Sequence, residues 1–297
     1  MISFRLQSRG PINLALCNQP VTEFEPDRDA FDGTALYRAG TAGGSPILLR
    51  AWNVTNDEIE VEVKGADEGE LPGDSVLVPY LRRRFSLDLD LPAFYRFART
   101  DSRLPEFSEE QKGLRPMLKD SLFEALCLAI VDQQINVAFA TTLKKRLFEK
   151  RGTAYSWEGH TLWHFPTPEK LAALEPETLR PLQFSRSKAS YMIDLARTFL
   201  SDPTWEQQEG SDEEVVSRLT TLRGVGPWTA EYAAISGLGR VDTLPAADIA
   251  LLRIAQQVMN LPERPTPEQM RELALPWRGW RGLVTFYLWH LDDLNQG

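Results

Sequence analysis

The chain has 297 residues, 42% of them hydrophobic and 25% charged, with a formal net charge of −9; this is enough apolar material for two or three packed domains and excludes intrinsic disorder. No segment approaches the apolar run needed to span a bilayer, and Met1-Ile2-Ser3-Phe4-Arg5-Leu6 lacks a charged leader with a long apolar stretch behind it, so a soluble cytoplasmic protein is expected. Two distant cysteines, Cys17 and Cys127, supply neither a disulfide framework nor the four closely spaced thiolates of an iron–sulfur cluster.

Taken in chain order, the pattern changes near residue 100. Before it, apolar residues alternate in short runs: Ile47–Val54 and Glu58–Val63, separated by Asn56 and Asp57, read as a β-hairpin. Gly40-Thr41-Ala42-Gly43-Gly44-Ser45 lacks the Lys-Ser/Thr ending of a phosphate-binding P-loop and reads as a flexible connection. Leu91-Pro92-Ala93-Phe94-Tyr95-Arg96-Phe97 opens a helix with Pro at its start. Beyond residue 105 helical spacing dominates, with capped starts at Ser108, Thr167, Ser211 and Thr266. His160 and His164 have the spacing of two ligands on one helix face, but the chain has three His in all and no Glu lies between these two, so zinc is not supported. The fold class is therefore α+β: an antiparallel sheet domain with helices over residues 1–104, then a mostly α-helical core over 105–297, divisible into two helical subdomains.

The most specific local signal lies in that core. Ser211 and Glu214 form a capping box ahead of a helix to Leu219. The run Leu222-Arg223-Gly224-Val225-Gly226-Pro227-Trp228-Thr229-Ala230 then gives a tight turn and a second helix with Pro at its first position, ended by Gly237 and Gly239. Helix, hairpin, helix is the expected order over about residues 212–238. Gly224, Val225 and Gly226 can present successive backbone N–H groups to a phosphate, although an ordinary tight connection has the same pattern. Asp248 opens a further helix, Ile249–Ala255, and taken alone reads as its N-cap.

Hairpin and carboxylate together resemble the helix-hairpin-helix DNA glycosylases, and within them the 3-methyladenine DNA glycosylase II, or alkylbase glycosylase, family. The resemblance also runs through Phe123–Leu126 with Ala129–Ala138, Phe165–Leu171, Phe184–Ala189, and Trp277–Arg281 followed by Trp289. It implies a base excision repair enzyme that flips an alkylated purine out of double-stranded DNA and hydrolyses its N-glycosidic bond. Asp248 would be the catalytic acid residue, with Asp132 and Asp242 less favoured; Trp228, Tyr232 and Trp289 would line the base pocket. Gly224, Val225 and Gly226 would grip the strand, and Gln134 or Ile135 would be the wedge filling the vacated stack.

The resemblance further implies a monovalent cation, Na+ or K+, on the carbonyls of Thr220, Leu222 and Val225, with no cofactor required. Strand-cutting relatives carry a Lys where Trp228 stands, so a monofunctional enzyme is implied. Two departures bear on substrate breadth: Ile249 replaces an aromatic, and Asp132 replaces a Gly. A noncatalytic helix-hairpin-helix binding protein and an oxidised-base glycosylase are the alternative readings. The acidic balance opposes a DNA partner unless Lys144, Lys145, Arg146, Lys150, Arg151, Arg186 and Lys188 form a local basic face; the expectation is a monomer with weak, salt-sensitive binding, nucleoid-associated if bacterial.

Overall fold

The computed structural model describes residues 1–18, 29–67, 70–107 and 111–296. Short apolar runs in the first part give a sheet that is five-stranded among the described residues: β1 (Ile2–Gln7), β2 (Asp29–Phe31), β3 (Leu36–Ala42), β4 (Ser45–Asn53) and β5 (Glu58–Gly65), ordered β1-β5-β4-β3-β2 and antiparallel throughout. A short helix α1 (Leu14–Asn18) follows β1. In β5, Ile59, Val61 and Val63 are wholly buried while Glu58, Glu60 and Glu62 point the other way, which is the period of two that the pleat imposes. The buried face packs on Leu77 and Leu81 of α2 (Asp74–Arg84).

The expected hairpin forms as β4 and β5. The glycine-rich stretch does not form a flexible connection. Gly40, Thr41 and Ala42 continue β3, Ala42 pairs with Ser45, and Gly43 and Gly44 make a two-residue turn with φ of +56° and +81°. Positive φ at both central residues suits the twist of the flanking strands, so the glycines build a tight hairpin.

Helix α3 (Leu91–Ala98) starts where Pro92 suggested, capped by Asp90, whose side chain accepts the Ala93 N–H at 2.9 Å. The rest is largely helical: α4 (Leu122–Asp132), α5 (Val137–Arg151), α6 (Pro168–Ala172), α7 (Arg186–Ser201), α8 (Asp212–Leu219), α9 (Pro227–Leu238), α10 (Ile249–Val258), α11 (Pro267–Leu273) and α12 (Arg281–Gln296). The caps at Thr167, Ser211 and Thr266 are present; Ser108 lies outside the described residues. One stretch departs from the helical reading. Strands β6 (Thr153–Trp157) and β7 (His160–His164) form a hairpin turned by Glu158 and Gly159, both at positive φ, and Trp157 and Leu162 pack with Tyr37 and Leu48 on the outer face of the large sheet. His160 and His164 thus stand on a strand: the first lies tilted against the Tyr37 ring with centroids 4.4 Å apart and the second bonds to Thr41.

Two cores organise the helices. Helix α4 is buried along nearly its whole length and is surrounded by residues of α5, α7, α8 and α9. Its first amide groups would be orphaned at a buried end, and Glu206 accepts them, from Leu122 at 2.8 Å and Phe123 at 3.1 Å. The second core joins Phe94 of α3 to Leu251 of α10, Trp277, and Tyr287 of α12. The buried Arg115 guanidinium ties the parts together by donating to the carbonyls of Pro11, Ser86, Leu89 and Arg9.

Asp101 fastens the chain leaving α3 to the second core, accepting the Trp277 indole N–H at 2.9 Å and an ion pair from Arg103. The Arg103 guanidinium, with further help from Trp277, holds its carboxyl down to about 2. A carboxyl lowered on folding contributes stability above its ordinary value near 4 and loses it as pH falls toward 2, an effect of about 1–2 kcal/mol. Asp101→Asn should therefore be less stable than wild type at pH 7 by about that amount, with the difference vanishing near pH 2, as read by urea unfolding at a series of pH values.

Candidate active site

The two helical cores meet along α9, whose Ala230 and Ala233 belong to the first and whose Tyr232 packs against the second. A cavity of about 1640 Å³ opens at this seam. It is lined by Asp248, Trp228, Tyr232 and Trp289, and also by Gln134, Ile135, Gly224 and Gly226. Residues spread over more than 150 positions of sequence are thereby brought to one place.

Asp248 is the N-cap of α10, as its position suggested, and it also faces the cavity. Its Oδ1 accepts the Leu251 backbone N–H at 2.8 Å and the Trp289 indole N–H at 3.1 Å, and its Oδ2 accepts the Trp228 indole N–H at 2.9 Å. Three donors from α10, α12 and α9 fix the plane of the carboxylate. The rings that supply two of them form a continuous aromatic wall: Trp228 stacks on Tyr232 with centroids 5.6 Å apart, and Tyr232 meets Trp289 at 5.8 Å. Burial, with the Asp132 and Asp248 carboxylates nearby, pushes the Tyr232 phenol well above its usual range, so it stays neutral.

The hairpin borders the same cavity. Leu222 and Val225 are buried in the first core, and the turn closes with Val225 N–H donating to the Leu222 carbonyl at 3.1 Å. Gly224 has φ of +84° and lies against the Tyr191 ring, where a Cβ would come within 2.3 Å of a ring carbon, so both backbone conformation and space require glycine. The Val225 side chain faces inward, leaving only its backbone for a ligand. Gly226 is the N-cap of α9 and brings no side-chain hydrogen bond to the first amides of that helix.

Asp242 is drawn away from any catalytic role. Its carboxylate accepts from the Arg281 guanidinium and from the Gly279 N–H, and it does not line the cavity. Asp132 does line it, but pairs with Lys144 at 2.8 Å, with side-chain exposures of 9% and 3%. Burial raises its pKa, opposed first by Lys144. The expected basic face is correspondingly diminished. Lys144 is internal, Lys188 donates to the carbonyls of Val131 and Gln133 at 2.6 and 2.7 Å, and Arg186 pairs with Glu177.

Lys119 and Tyr191 also line the cavity and carry no local sequence signal, since their placement follows from long-range packing. Burial pushes the Lys119 ammonium down to about 8. Gln134 is exposed at the loop after α4 with φ of +55°, whereas Ile135 is partly buried against the first core. Ile249 is 71% exposed at the cavity rim.

Because Asp132 and Lys144 pair with little exposure to water, removing Lys144 takes from the carboxylate its nearest compensating charge. Lys144→Met should cost about 3–5 kcal/mol by denaturant unfolding, and adding Asp132→Asn should recover most of that loss.

Residues 127–278 match a family described as HhH-GPD superfamily base excision DNA repair protein. The chain is 34% identical over 217 residues to a DNA-3-methyladenine glycosylase of Bacillus subtilis, covering 72% of each chain. It is 30% identical over 170 residues to DNA-3-methyladenine glycosylase 2 of Escherichia coli, covering 57% of each. The solved structure of a 3-methyladenine DNA glycosylase from Archaeoglobus fulgidus superimposes with a TM-score of 0.85 and 25% identity over 98% of both chains. With this aromatic cavity, its fixed carboxylate and its glycine hairpin, the chain belongs to the HhH-GPD superfamily of base excision DNA repair proteins.

Proposed function

We propose that the chain is a monofunctional DNA glycosylase that removes alkylated purines from double-stranded DNA, hydrolysing the N-glycosidic bond and leaving an abasic site. The observation that carries this reading is the Asp248 carboxylate, held by two indoles and a helix N-terminus inside an aromatic cavity bordered by the hairpin. Cleavage of an N-glycosidic bond gathers positive charge on the sugar as the base departs, and a preorganised carboxylate stabilises that charge and orients or deprotonates the attacking water. A purine alkylated on a ring nitrogen is cationic, which makes it a good leaving group and draws it to the faces of Trp228, Tyr232 and Trp289.

The target atoms are out of reach in a stacked duplex, so the nucleotide is extruded into the cavity. The backbone amides of Gly224 and Gly226 at the α9 N-terminus hold the strand by its phosphate, while the Val225 N–H, bonded to the Leu222 carbonyl, keeps the turn in shape. Of the two wedge candidates, exposure favours Gln134 over Ile135. At the cavity rim the exposed Ile249 offers the base an aliphatic side chain in place of a ring.

The hairpin also suits a monovalent cation on the carbonyls of Thr220, Leu222 and Val225. Thr220 is the C-cap of α8, where helices leave carbonyls without intrahelical donors, and the Leu222 carbonyl keeps a lone pair beyond the one that accepts from Val225. Such an ion would strengthen the phosphate anchor, and hydrolysis itself needs no cofactor. Among the described residues no helix is long and apolar enough to cross a membrane. One chain supplies the whole lining of the cavity, which supports a monomer as the working unit.

The test is release of methylated purine from alkylated duplex. Asp248→Asn, which keeps the helix cap, should lower the rate at least about 100-fold. Equal release by both proteins would remove Asp248 from the mechanism; none from either would favour a noncatalytic binding protein; borohydride trapping on an 8-oxoguanine duplex would favour an oxidised-base enzyme. Trp228→Phe and Trp289→Phe keep a ring but lose the N–H to Asp248, and each should lower single-turnover rate about ten-fold or more.

A further inference from the structure

The loop carrying Gln134 is fastened at two points, and both fastenings involve Gln133. Helix α4 ends at Asp132 with Gln133 as its C-cap, so its last carbonyls have no intrahelical donors. The Lys188 ammonium, reaching over from α7, occupies two carbonyls of this stretch, those of Val131 and Gln133. The Gln133 side chain runs the other way: its Nε2 donates to the Gly224 carbonyl at 2.9 Å and to the Thr229 hydroxyl at 2.8 Å. Both donors of the amide are thus spent on the turn of the hairpin and the first helical turn of α9. The Gly224 carbonyl can only accept, so the amide nitrogen must face it. The next residue is Gln134, held at positive φ and exposed.

We infer that Gln133 is a positioning residue that sets the wedge relative to the phosphate anchor, so that docking of the hairpin on the strand places Gln134 at the stack. This rests on the glycosylase reading above and on Gln134 as the wedge. The consequence is specific. A residue that holds the active site together affects every substrate, whereas one that sets the wedge affects only substrates in which a base must be levered out of a pair.

Single-turnover release of 7-methylguanine separates the two, using one duplex with the lesion opposite cytosine and another with it opposite an abasic analogue. Gln133→Glu, which sets oxygen against the Gly224 carbonyl, and Gln133→Met should each slow the paired duplex about ten-fold or more while slowing the unpaired one by less than about three-fold. Thr229→Val, approaching the same contact from α9, should give a smaller loss on the paired duplex, and Thr229→Ser should retain the bond and the rate. In a Gln134→Ala background, Gln133→Met should add little, because the residue it positions is already gone. Equal losses on both duplexes, or full additivity with Gln134→Ala, would overturn the inference while leaving the glycosylase reading intact. No release by wild type from either duplex would overturn both.

Discussion

A half-buried carboxylate that lines an aromatic cavity keeps one orientation only if donors meet its oxygens. Asp248 is met by a backbone amide of its own helix and by the indoles of Trp228 and Trp289. That requirement links three helices: α10 must begin where α9 and α12 present their rings, and the two cores must meet along α9 for this to happen. Capping and cavity lining are therefore one arrangement. The helix end that Asp248 caps orients the carboxylate, and the rings that bind it also form the wall of the pocket.

The hairpin follows a complementary logic. Its apolar side chains, Leu222 and Val225, are turned into the first core, and Gly224 lies against Tyr191, so what remains outward is backbone. This bears on how a chain with a net charge of −9 engages a polyanion. Two basic side chains near the site are committed to internal partners, Lys144 to Asp132 and Lys188 to two carbonyls, whereas Arg223 pairs with Asp194 at the surface. Backbone amides at a helix N-terminus provide a local positive end that does not depend on net charge.

The cavity is also mixed in character. Its aromatic wall with Asp248 suits a cationic ring, and Lys119 and Asp132 add ionic groups to the same lining, Asp132 close enough to Tyr232 to act on its phenol. Burial opposes the charge on both, upward for the Asp132 carboxyl and downward for the Lys119 ammonium, and mutual compensation keeps such a cluster in place. Lys144 and Asp132 are twelve positions apart, on different helices.

Local pattern was enough for much of the protein. Alternation identified β4 and β5, capping residues marked α6, α8 and α11, and the Gly-Val-Gly-Pro run located the turn into α9, because each of these depends on residues a few positions apart. The β6–β7 hairpin escaped because its strands are five residues long and take their partners, Tyr37 and Leu48, from the distant sheet. The glycines of the β3–β4 turn escaped because flexibility and a tight turn share one composition. What the amino-acid order determined by itself was the set of elements and the chemical kinds of residue offered to a site. Tertiary structure alone decided that Asp248 shares its oxygens with two indoles, that Asp242 is held by Arg281 away from the cavity, and that Lys144 lies inside. Those outcomes depend on which helices pack together, and burial and hydrogen bonding between remote segments leave no periodic trace along the chain.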